Sequence, residues 1–116
     1  MDVELLVVPD CPHQGPAVAL VRRVLEELDM GAEVTVTEIG TDHEATRRRF
    51  TGSPTFLVNG TDVLARPGAD FAVACRLYAT PTGLAPLPTL SQLSAALQRA
   101  AGVSTEPPAD PLRTSR

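Results

Sequence analysis

The chain has 116 residues, 43% of them apolar, which predicts a single domain with an ordinary core. Three Phe, one Tyr and no Trp leave that core to Leu, Val and Ala; they offer no aromatic platform for stacking bases, and a net charge of −4 argues further against a nucleic-acid partner. All ten basic residues are Arg, a bias of composition that carries no functional weight. Glu4, Pro9 and Asp10 interrupt the apolar N-terminal segment, so the expectation is a cytoplasmic protein with neither a signal peptide nor a membrane span.

Val3 to Val8 is nearly continuous in apolar residues and closes at Pro9, as in an interior strand covered on both faces. It runs directly into Asp10-Cys11-Pro12-His13-Gln14. A thiol at the start of a helix lies near unpaired backbone N–H groups and the positive end of the macrodipole, and both favour the reactive thiolate. The competing reading of Cys11 is a small buried residue, since free Cys is among the most buried types. From Pro12 or Pro16 to Met30, the residues Ala17, Val18, Val21, Val24, Leu25 and Leu28 recur at helical spacing opposite Arg22, Arg23, Glu26 and Glu27. Gly31 is the expected C-cap.

Glu33 to Ile39 alternates as a strand does, and Gly40 breaks it. Thr41 and Glu44 have capping-box spacing and open a predicted short helix through Arg49; its final arginines read as a solvated helix end rather than a basic patch. In Phe50 to Leu64, Asn59-Gly60 between two apolar runs predicts a hairpin, with Pro54 directly before its first strand. Phe71, Ala74, Cys75 and Tyr78 then have helical spacing, and Thr80-Pro81-Thr82-Gly83 stops the short helix they predict. Thr89 to Gly102 reads as a closing helix with Thr89 and Gln92 in capping-box spacing. The domain is expected over 1–102; 103–116, with three prolines and few apolar side chains, reads as a disordered tail.

A strand ending in Cys-Pro, a helix, a second strand, a short helix, then Gly52-Ser53-Pro54-Thr55-Phe56-Leu57-Val58-Asn59-Gly60 and a hairpin resembles the thioredoxin-like superfamily. The resemblance covers Met1 to about Ala69 and resumes at the last helix. It implies an α/β fold, a three-layer α/β/α sandwich around a four-stranded mixed sheet, here with an extra helix-loop insert before the last helix. It also implies a cis Ser53–Pro54 bond facing Cys11 and an open backbone edge at Pro54 for an incoming disulfide chain. Cys11 and Pro54 are thereby the candidate catalytic residues, with Ser53, Thr55 and His13 at the substrate. Arg66-Pro67-Gly68-Ala69 fits the family's turn after the hairpin.

One departure narrows the chemistry. Gln14 stands where the family's second cysteine would be, so Cys11 resembles a monothiol site unless another thiol joins it. Cys75 is the only internal candidate to resolve a mixed disulfide, and its competing reading is a core residue of the insert. Arg76 and His13 are candidates for raising the positive potential near Cys11. The expected function is a thiol–disulfide protein acting on a protein or small-molecule thiol or disulfide, with no cofactor and no resident metal. Two alternatives stand beside it. Two thiols with Asp10 nearby suit a soft metal ion and resemble, in residue types alone, the organomercurial lyases; the other alternative is a non-catalytic binding module of the same fold.

Overall fold

Val3, Leu5, Leu6 and Val7 are all buried, and the strand they form, β1 (Asp2–Val7), is the interior strand on which the sheet is built. The computed structural model describes residues 1–65, 68 and 70–102. β1 runs parallel to β2 (Glu33–Glu38) and antiparallel to β3 (Thr55–Val58), and β4 (Thr61–Asp62) lies beyond β3 in the order β2-β1-β3-β4. A parallel pair cannot be joined by a tight turn. The crossover between β1 and β2 is α1 (Gln14–Glu27).

The two-residue period of the strands divides the core between the two faces of the sheet. Val3 and Leu5 of β1 and Phe56 and Val58 of β3 pack with Ala17, Val21 and Val24 of α1 and with Leu93 and Leu97 of α3 (Leu90–Ala100). Leu6 and Leu57 point the other way, onto Ile39, Phe50 and Ala45 of α2 (Asp42–Arg47). The result is an α/β domain with helices on both faces of a mixed four-stranded sheet. Among the described residues no helix is long and apolar enough to cross a membrane.

Local chemistry sets the helix ends. α1 begins at Gln14, so Pro16 falls in the first turn, where its missing N–H has no intrahelical partner to lose. Its C-terminus is closed by Asp29 rather than by Gly31: Asp29 takes φ 54°, its N–H bonds Glu26 and the Met30 N–H bonds Leu25, a Schellman arrangement. α2 ends two residues before the expected Arg49 for the same reason, with Arg49 at φ 55° and the Phe50 N–H on the Ala45 carbonyl. α3 carries a complete capping box between Thr89 and Gln92. Thr89→Ala should therefore lower stability by about 1 kcal/mol, read as a shift in the urea midpoint at unchanged m-value.

The insert differs from expectation. Residues 71–77 form no helix, and the chain continues as an antiparallel hairpin of β5 (Tyr78–Thr80) and β6 (Gly83–Ala85), turning at Thr80-Pro81-Thr82-Gly83 with Gly83 at φ 120°. The apolar spacing fits a helix, but the extended form gains long-range backbone bonds to residues 50–53 that a helix would forgo. Of the expected turn at residues 66–69, only Gly68, at φ 78°, is described; Arg66, Pro67 and Ala69 lie outside the described residues, as does the predicted tail 103–116.

Candidate functional site

The end of β1 turns sharply into α1. Asp10 makes the turn in the left-handed region at φ 58°, a conformation that Asp tolerates better than most side chains, and Cys11 follows three residues before the first helical residue. The Cys11 carbonyl accepts the Gln14 N–H at 3.2 Å, which satisfies one of the open donors of the helix start. His13 is the half-buried N-cap; its carbonyl accepts from Ala17 and its side chain makes no capping bond. The Cys11 residue is 8% exposed, so the thiol is sheltered.

Ser53 reaches Cys11 from the neighbouring strand connection. Its hydroxyl donates to the Cys11 sulfur at 3.0 Å, and the Ser53–Pro54 bond that follows is cis. The Thr55 side chain is fully buried and donates to the Gly52 carbonyl, bracing the turn. The Pro54 carbonyl accepts the Tyr78 hydroxyl. The loop that holds Ser53 is thus tied on both sides, by β3 and by the insert.

The backbone edge expected to be open at this loop is filled by the insert. The Ser53 N–H donates to the Ala74 carbonyl at 2.8 Å and the Arg76 N–H donates to the Ser53 carbonyl at 3.0 Å, a parallel bridge that sets Cys75 opposite Ser53. The Ala72 N–H extends the same run to the Phe50 carbonyl. Bridged residues carry their side chains on the same face of a pleated pair, so Cys75 lies on the face where Ser53 meets Cys11. Cys75 is exposed, not a core residue, and both cysteines are free thiols.

Arg76 holds this segment in place. It is 2% exposed, so it is not a surface arginine. Its guanidinium donates to Asp62 at 2.9 Å, to Thr51 at 3.3 Å and to the Leu64 carbonyl, and lies 4.5 Å from the centre of the Tyr78 ring. Asp62 of β4 neutralises its charge, so Arg76 acts as an anchor. Tyr78 in turn meets Phe56 edge-on at 6.0 Å, which joins the anchor to the core. Gly52 permits the close approach: at φ 132°, a Cβ there would lie 2.7 Å from the Arg76 Cβ.

Of the residues singled out in the sequence, the structure groups Cys11, Ser53, Pro54 and Cys75 around one loop; the sequence reading assigned no site role to Gly52, Asp62 and Tyr78. The available signal was the apolar, β-prone run Phe71 to Thr80 with a lone Arg inside it, since a charge within such a run needs a buried partner. Among the described residues no group of three or more His, Cys, Asp or Glu side chains is gathered as a metal site would require. In comparisons with known proteins, no family model, no curated sequence and no solved structure matches the chain.

Proposed function

We propose that this chain is a thioredoxin-like thiol–disulfide protein in which Cys11 attacks a substrate disulfide and Cys75 resolves the product. The observation that carries this reading is that both cysteines are neighbours of Ser53: its hydroxyl bonds the Cys11 sulfur, and Cys75 is its partner in the backbone bridge. Neighbouring strands lie about 4.8 Å apart, so Cys75 sits one strand spacing from a residue already in contact with the Cys11 sulfur. The strand order and a thiol at the head of α1 support the same reading. Gln14, in the position of a second motif cysteine, leaves the resolving role to Cys75.

In the reaction, the Cys11 thiolate attacks one sulfur of a disulfide and the other sulfur leaves as a thiolate, which takes a proton from solvent. The hydrogen bond from Ser53 orients the Cys11 sulfur. Cys75 then attacks the Cys11 sulfur, releases the bound group and closes an internal disulfide. Intact mass spectrometry of the protein after mild oxidation, without reductant, tests this pairing. The expected product has lost two hydrogens in a Cys11–Cys75 bond, and Cys11→Ser and Cys75→Ser each abolish that loss. An oxidised chain that carries only adducts with an added small thiol would remove Cys75 from the mechanism.

A further inference from the structure

Resting on the thiol–disulfide reading above, we propose that the Ala74–Arg76 segment is a built-in filter that keeps polypeptide strands from Cys11 and restricts the site to small-molecule disulfides. An extended polypeptide substrate is held at such an edge by strand addition, through bonds to the backbone N–H and C=O of the receiving residue. At Ser53 both groups are already engaged, by Ala74 and by Arg76. An incoming strand must first displace this segment. Displacement strips Arg76 from Asp62, Thr51 and the Leu64 carbonyl and draws a 2% exposed guanidinium out of its contact with Tyr78. Breaking a buried ion pair in this way is costly.

A small disulfide makes no such demand. It needs only to bring one sulfur in line with the sheltered Cys11 thiolate, and it forms no backbone pairing. For a reagent RSSR, Cys11 displaces RS⁻, which takes a proton from solvent, and a Cys11–SR mixed disulfide forms. Cys75 displaces the second RS⁻ to give the internal disulfide. Two electrons pass from the protein dithiol to RSSR, giving two RSH, and an external dithiol restores the reduced protein. Arg76 is here a positioning residue that sets specificity through the backbone it anchors, without touching the reacting sulfurs.

The test uses the full chain with Cys75→Ser, in which the mixed disulfide on Cys11 persists and can be counted by intact mass spectrometry. One reagent is bis(2-hydroxyethyl) disulfide; the other is an unfolded polypeptide closed by one disulfide. The expected result is rapid addition of the small reagent and slow addition of the polypeptide. Adding Arg76→Gln should speed the polypeptide reaction by about tenfold or more and leave the small-reagent rate within about threefold, because losing the anchor favours local opening of the segment. Asp62→Asn weakens the same anchor more gently and should shift the two rates in the same direction. Equal rates for the two reagents before any anchor is removed would overturn the filter, and so would variants that accelerate both reagents alike. If neither reagent adds to Cys11, the thiol–disulfide reading itself fails and the filter fails with it.

Discussion

Gly52→Val is expected to lower the stability of the chain by about 3 kcal/mol, measured as a displaced urea midpoint. Two independent costs combine. The backbone at Gly52 lies at φ 132°, where a β-branched side chain is strained. A Cβ in that position would also stand 2.7 Å from the Arg76 Cβ, 3.0 Å from its Cα and 3.1 Å from its nitrogen. Those atoms cannot retreat freely, because the Arg76 N–H is bonded to Ser53 and its guanidinium to Asp62. The substitution should also release residues 74–76, seen as faster amide exchange at Ser53 and Arg76. Unchanged exchange at those two amides would show that the segment does not depend on the close approach.

Phe56→Ala should cost about 4 kcal/mol by the same measurement. Phe56 is fully buried on β3, in register with Leu5 of β1. Its side chain packs in the core shared with α1 and α3, so truncation leaves a cavity that strands bonded on both sides of it cannot close. It also removes the edge-on partner of Tyr78, whose hydroxyl bonds Pro54 and whose ring lies beneath Arg76. The effect should therefore reach the thiol loop, and a loss of no more than about 1 kcal/mol would mean that the two faces share the load differently.

Elements governed by local pattern were legible in the sequence. The unbroken apolar run of β1, the period of α1 and the Asn59-Gly60 turn each have one good solution in a small domain, and each was found where expected. Helix ends were less legible, because Asp29 and Arg49 accept left-handed backbone that sequence reasoning reserves for Gly. The insert was misread for a deeper reason. Phe71, Ala74, Cys75 and Tyr78 suit a helix locally, and only the unpaired backbone of Ser53, more than twenty residues earlier, makes the extended form better. The same limit applies to the thiols: the residue types of Cys11 and Cys75 suggested a pair, whereas their common neighbour is a property of the folded chain.

The margins of the sheet carry a consequence for self-association. On one side the outermost strand is β2, whose Glu33, Thr35 and Glu38 are exposed; on the other it is β4, only two residues long. Charge on one border and brevity on the other are both obstacles to templated stacking of further copies. Within the four-stranded sheet, those two borders and the internally paired backbone of Ser53 all disfavour the addition of a further strand.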